Sequence, residues 1–269
     1  MQKLGEIYNT LRRLPAIESI DEVDPAMTKL RFLNCDPDSL EKILKGVKGL
    51  DYLYLNNGKI DLLYSLSNLN PNLTALYLYN FQVKDLQPLE QLTKIKYFIF
   101  DWDSKATQLW DVSCMKSLKG LSIKDCRHVT SIGQVGGALL EELELCGGMW
   151  NRFSIDSLTP LKKLNKLKYL YLSNIKVLKE GLSPLKSLKG LKNLEVSNQF
   201  ATQDYAELSV HLKNTKCSSF SPWIKLDHPI GEKDIMVTGK GKPFLNSIKD
   251  AERIRKFEAD FREYQLSVK

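Results

Sequence analysis

LDYLYLNNG at residues 50–58, LTALYLYNF at 73–81 and IKYFIFDWD at 95–103 carry one spacing between them, with apolar residues at the first, fourth and sixth positions. In an extended segment the fourth and sixth residues share a face, and the third, fifth and seventh point the other way. Moving outward, the spacing recurs at Met27/Leu30/Phe32, Leu118/Leu121/Ile123, Leu140/Leu143/Leu145, Leu167/Leu170/Leu172 and Leu191/Leu194/Val196. With the three central copies (Leu50/Leu53/Leu55, Leu73/Leu76/Leu78, Ile95/Phe98/Phe100), all 24 positions are apolar in a chain that is 43% apolar overall. Chance alone gives such a run with odds on the order of 10⁻⁹, before discounting for choice of register. The central residues fall at 30, 53, 76, 98, 121, 143, 170 and 194, steps of 23, 23, 22, 23, 22, 27 and 24.

A unit of this length cannot bury its own apolar edge, so successive units must stack. The expected fold is an α/β solenoid: a right-handed coil with a parallel concave sheet of about eight strands, a convex side of loops and 3-10 or short helical turns, and a cap at each end. The segments between strands, such as VKDLQPLEQLTKI (83–95) and GLSPLKSLKGL (181–191), carry Pro88, Pro160 and Pro184 at equivalent places and so argue against long convex helices. At the ninth position of two units, Cys35 and Cys126 read as small buried thiols.

With their L-x-P-L-x-x-L tails, units of 22 to 23 residues over about 27–200 resemble the short leucine-rich repeats of bacterial internalins and of protein phosphatase 1 regulatory subunits. The resemblance implies that fold and protein recognition through the concave sheet. The chain departs from the internalin pattern in lacking an evident secretion signal and in having few ladder asparagines.

Residues 1–26 are expected to form an N-terminal cap, with Leu4, Ile7 and Leu11 on one helical face, residues 27–226 the solenoid, and residues 227–269 a C-terminal cap. A last irregular strand is expected in CSSFSPWIKL (217–226), a hairpin in 234–246, and a final helix opened by Ser247 and Asp250 with Ile248, Ala251, Ile254, Phe257 and Phe261 on one face.

Several function classes are disfavoured. No apolar run approaches the ~18 residues of a membrane span. Residues 1–15 lack the apolar core of a signal peptide, and five cysteines without CxxC spacing suit a reducing, cytoplasmic setting. Gly239-Lys240-Gly241-Lys242 is followed by Pro243 and reads as a turn, not a phosphate loop. With three dispersed histidines and no nucleophile elbow, kinase or dinucleotide signature, the reading is a non-enzymatic protein without metal or cofactor.

The side chains facing away from the core carry the functional reading. Tyr52, Tyr54, Tyr77, Tyr79, Tyr97, Trp102, Tyr169 and Tyr171 all fall on the concave side, together with Asp101, Asp125, Glu142, Glu144 and Glu195 against Lys124 alone. Tyrosine also suits any exposed strand, yet stiff amphipathic rings are what interfaces favour. The 27-residue step makes room for CGGMWNRFSID (146–156), which adds Trp150 and Arg152 to a rim receiving Trp102, Asp103 and Asp125. The chain carries +7 overall, but Lys162, Lys163, Lys166, Lys186 and Lys189 fall on the back and edges. The expectation is a monomeric bacterial interaction module that takes a partner protein with a basic surface in an aromatic, acidic hollow, as an inhibitor or immunity-type protein would. Such a face repels phosphate backbones. The alternative is an adaptor that binds nucleic acid or an anionic surface through its lysine-rich back.

Overall fold

In the computed structural model, residues 3–66 and 72–268 are described. Met1, Gln2 and Lys269, at the outer ends of the two expected caps, lie outside the described residues. Eight strands form one parallel sheet in the order β1 (Lys29–Leu33), β2 (Tyr52–Asn56), β3 (Ala75–Tyr79), β4 (Tyr97–Asp101), β5 (Gly120–Lys124), β6 (Glu142–Cys146), β8 (Tyr169–Ser173) and β10 (Asn193–Val196). Leu30, Leu53, Leu76, Phe98, Leu121, Leu143, Leu170 and Leu194 are register partners from strand to strand, as the spacing predicts. All eight are buried in one continuous core.

The convex side follows from local sequence. Asp36 accepts the Ser39 N–H and Pro37 opens α2 (Pro37–Gly46), while α3 spans Ile60–Ser65. Thereafter Pro88, Pro160 and Pro184 each sit in the first turn of a five-residue 3-10 segment, where a missing N–H costs nothing and a longer helix is not encouraged. The long step at 146–156 is absorbed by β7 (Phe153–Ile155), which pairs with β9 (Ile175–Val177) in a separate two-stranded sheet.

Six of the eight strands end at a left-handed residue. Asn34, Asn57, Asn80, Asp125 and Asn174 are five of these, with φ between 48° and 61°, a region that Asn and Asp tolerate better than other side chains. The Asn57 amide donates to Asn34 Oδ1 at 2.8 Å, and Asn80 donates to Asn57 in turn. A ladder of asparagines therefore exists, one place before the ninth position at which Cys35 and Cys126 are buried.

The N-terminal helix α1 (Lys3–Arg13) does not close the end of the stack. It crosses the concave face from β5 and β6 to β1. Its apolar stripe meets the apolar residues of the concave face, Tyr52, Tyr54, Ala75, Tyr77 and Ile99, and burying both is the driving force. Ile17 closes the end instead, by bridging to Phe32 along the free edge of β1, and Ile20, Val23 and Met27 pack on the core.

At the far end, α4 (Thr202–His211) precedes a short bridge from Lys216 to Asn193. Residues 217–226 do not form one further solenoid strand. Ser218–Phe220 is a 3-10 turn, and β11 (Trp223–Ile230) belongs to an antiparallel sheet with β12 (Lys233–Val237) and β13 (Phe244–Leu245). Ser247 bonds to Asp234 and caps nothing, so α5 (Ala251–Leu266) starts at Ala251. Ile248 is exposed, and Ile254 and Phe261 make the buried face. The terminal unit is fastened to the solenoid by Asn198, whose amide donates to Val237 O (2.9 Å) and accepts from Gly239 N (2.6 Å).

Candidate interaction surface

The concave residues divide into those under α1 and those beside it. Leu4, Ile7 and Leu11 form an apolar cluster with Tyr52, Tyr54, Ala75, Tyr77 and Ile99, distinct from the solenoid core, and Tyr79 and Tyr97 flank it half-buried. Tyr54 and Tyr77 stack at 4.3 Å, and Tyr8 of the helix lies 5.8 Å from Tyr77 with the Lys124 ammonium 4.1 Å from its own ring. Gly120 is the floor beneath Leu4: a Cβ there would stand 2.9 Å from Leu4 Cγ and 2.7 Å from Tyr97. Tyr52, Tyr54 and Tyr77, read from the sequence as a free binding face, are therefore the inside of an intramolecular contact.

Most of the expected acidic setting is also engaged internally. Glu142 accepts the backbone N–H groups of Lys3 and Leu4 at 3.0 Å each. Glu144 accepts from Ser122 Oγ (2.8 Å) and pairs with Lys124 (3.2 Å). Burial, the largest single influence, works against the Lys124 charge, but Glu144 together with Cys146 and Tyr8 outweighs it and holds the ammonium above its ordinary pKa. Asp101 accepts from the Tyr77 hydroxyl at 2.9 Å; burial raises its pKa above the ordinary carboxylate range, against the opposing pull of that bond and of Lys124. Asp103 is not at the rim: it is fully buried, accepts from the backbone of Val83, Lys105 and Ala106, and so shapes the turn after β4.

The rim beyond the helix is different. Trp102 is 41% exposed, Met149 84% and Trp150 88%. Trp102 takes the place of Asn or Asp in the strand-end ladder with φ 62°, a strained choice for a bulky residue, and rests against Tyr79 at 5.4 Å. Its neighbours on the next two rungs are Asp125 and Gly147. The loop they support is tightly held: Asn174 Nδ2 donates to Gly148 O at 2.7 Å and Asn151 O at 3.3 Å. A side chain at Gly147 would strike Asn174 O (2.3 Å), and one at Gly148 the Asp125 carboxylate (2.2 Å). Phe153 enters the core, whereas Met149, Trp150 and Arg152 project outward. Tyr169 and Tyr171 remain half-buried past the helix, where Tyr169, Asn193 and Glu195 face Gly5 and Asn9 across an open cleft.

Comparison with solved structures finds internalin C2 of Listeria monocytogenes, with 25% identity over 68% of this chain and 73% of that one and a TM-score of 0.48. It also finds the internalin InlF of the same species (19%; 70% and 66%; 0.40) and the mouse RP105/MD-1 complex (15%; 63% and 30%; 0.45). No family model matches the sequence, and no curated protein matches it. The repeat length and the strand-to-strand register of the eight core residues decide the architecture. This is a leucine-rich-repeat solenoid.

Among the described residues of the solenoid and its caps, no group of three or more His, Cys, Asp or Glu is arranged to hold a metal, and no helix is long and apolar enough to cross a membrane. Two signals in the sequence point to the helix seat when taken together. Ala75, Ile99 and Gly120 are poor choices for a solvated sheet face, and Leu4, Ile7 and Leu11 supply the matching stripe.

Proposed function

We propose that this solenoid is a non-enzymatic protein-binding module whose partner seats on the rim formed by Trp102, Met149 and Trp150. One observation carries the reading: an almost fully exposed tryptophan stands on a loop held by hydrogen bonds from Asn174 and by Gly147, where backbone on three sides leaves no room for a side chain. A stiff aromatic on a preorganised loop gives contact area at low entropic cost. Of the acidic residues, Asp125 lies within this rim and favours a partner with basic groups at its contact. An inhibitory or immunity-type role, in which the module covers a partner's working surface, suits a preformed face. The five cysteines are free, which suits the reducing cytoplasm we assign to the chain. The test is a photo-reactive residue placed at 150 or, as a control, at 162 of the full chain, in cells of its source. A protein cross-linked from 150 and lost with Trp102→Ala is expected; cross-linking from 162 alone would overturn the reading.

A second reading has its own observation. Backbone hydrogen bonds stack Lys96 on Lys119, and Lys168, Lys192 and Lys216 on one another, along the edge where the strands begin. Rungs lie about 4.8 Å apart. Glu141 interrupts the row and pairs with Lys168, while Lys96, Lys119, Lys192 and Lys216 make no ion pair among the described residues. Of the lysines first read as the basic back, Lys186 pairs with Glu207 and Lys189 bonds to His211 O, while Lys162, Lys163 and Lys166 make no ion pair among the described residues, so the edge adds a second row of unspent charge to that of the back. A row of this kind favours a polyanion. Binding of a fluorescent 20-nucleotide single strand, or of vesicles containing phosphatidylserine, that weakens with salt and disappears in Lys192→Glu/Lys216→Glu supports it; no binding at low salt rejects it.

A further inference from the structure

The concave groove beneath α1 recognises a helix by more than its apolar stripe. At one end the Glu142 carboxylate meets the first free N–H groups of the helix, and at the other Arg31 Nη1 donates to Arg12 O (3.2 Å) and Leu14 O (3.4 Å). Negative charge at a helix N-terminus and positive charge at its C-terminus both match the helix dipole. Between them, Ala75 and Gly120 leave space for a leucine, and Tyr77 with Lys124 brackets an aromatic ring at the sixth helical place, Tyr8.

Two features make the occupant separable from its seat. The cluster of α1 with the concave residues is distinct from the core of the solenoid, so removing the helix leaves the leucine ladder covered. The helix is also only 11 residues long and adds no strand to the sheet. Segments of that length are marginal as helices without a surface to fold on. After Arg13 the chain runs through exposed residues around Pro15 before Ile17 is pinned to β1, which leaves a short hinge.

We propose that the concave groove from β1 to β6 is a receptor for an amphipathic helix of a partner protein, one with large apolar residues at i, i+3 and i+7 and an aromatic at i+4, and that α1 is its exchangeable intramolecular occupant. This surface is separate from the tryptophan rim and does not rest on it. The tether gives α1 a high effective concentration, so a partner helix must bind more tightly than α1 or meet a chain whose α1 has been displaced. Displacement also uncovers Tyr52, Tyr54 and Tyr77, the aromatic face that the helix otherwise buries.

The experiment uses the full chain and a labelled synthetic peptide of residues 1–14. In Leu4→Asp/Leu11→Asp the apolar stripe of α1 is destroyed and the groove is intact. This variant is expected to stay folded and monomeric and to bind the peptide one-to-one, at least 100-fold more tightly than the parent does. Adding Gly120→Leu, which fills the seat of Leu4, should abolish that binding, while Trp150→Ala should not alter it. Equal affinity of parent and variant, no binding by the variant, or peptide bound only by an exchanged dimer would overturn the proposal. So would failure of both Leu4→Asp/Leu11→Asp and the milder Ile7→Asp to fold, because α1 would then be an integral part of the structure.

Discussion

Glu142, in the sixth strand of the sheet, caps Leu4, 138 residues earlier in the chain, through a 3.0 Å hydrogen bond from the Leu4 backbone N–H. The same carboxylate takes the N–H of Lys3. A residue read from the sequence as part of an acidic binding face is thus a helix cap supplied from a distant repeat. Replacing it by Gln keeps the shape and removes the charge, at a cost of about 1 kcal/mol to the docking of α1. Hydrogen exchange of the α1 amides should quicken roughly fivefold, with strand amides unchanged; unaltered α1 protection would show that the cap contributes nothing.

Gly120→Val and Tyr77→Ala attack the same contact from opposite sides. Valine at 120 collides with Leu4 and Tyr97, whose atoms already stand within 3 Å of a Cβ at that position, and alanine at 77 leaves a void beneath the helix. Because Tyr77 is fully buried, Tyr77→Ala should cost about 3 kcal/mol, more than an exposed tyrosine would. Chemical denaturation should reveal a loss of that size for Tyr77→Ala. Gly120→Val should release α1 to rapid exchange while the sheet persists.

Leu121 is completely buried at the middle of the ladder, between Phe98 and Leu143. Leu121→Asp places an unpaired carboxylate there and should destabilise the chain by several kcal/mol. Far-ultraviolet circular dichroism should show early melting or no cooperative transition, and a parent-like melting curve would contradict the register.

Trp102 holds a left-handed backbone that the other left-handed rungs, at 34, 57, 80, 125 and 174, give to Asn or Asp. Trp102→Asn relieves that strain and extends the amide ladder, a gain of about 0.5–1 kcal/mol, or roughly 1–4 °C in Tm. Partner binding should weaken in the same variant. Lower stability together with undiminished binding would mean that the tryptophan is retained for packing against Tyr79.

Alkaline pH should unfold the chain. Burial pushes the thiols of Cys35 and Cys146 from 9.0 up to about 12, and burial likewise pushes Tyr205 from 10.0 to about 12. Each group keeps its proton in the folded chain over a range in which the unfolded chain has lost it. The stabilisation is therefore whole below pH 9 and declines as pH rises towards 12. The urea midpoint should fall between pH 8 and pH 10.5, and less steeply in Cys35→Ala/Cys146→Ala; a flat profile would argue against burial of these groups.

Sequence alone determined the repeat, the eight strands and their register, because a 22- or 23-residue spacing of leucines has one way to bury itself: Leu30, Leu53, Leu76 and their successors must stack. It also determined that a helix within residues 1–13 would carry Leu4, Ile7 and Leu11 on one face. Where that helix would go was decided only by tertiary structure. Periodicity reports which face of a segment is apolar, not which of two apolar surfaces it will meet, and both the end of the stack and the tyrosine-lined hollow were open to it. The helix took the hollow, where Gly120 and Ala75 admit its side chains and Glu142 and Arg31 meet its ends, and Ile17 was left to close the edge. The same choice decided which aromatics stayed outside. Tyr54 and Tyr77 became interior, while Trp102 and Trp150, which lie past the C-terminal ends of strands that the helix crosses, remained exposed.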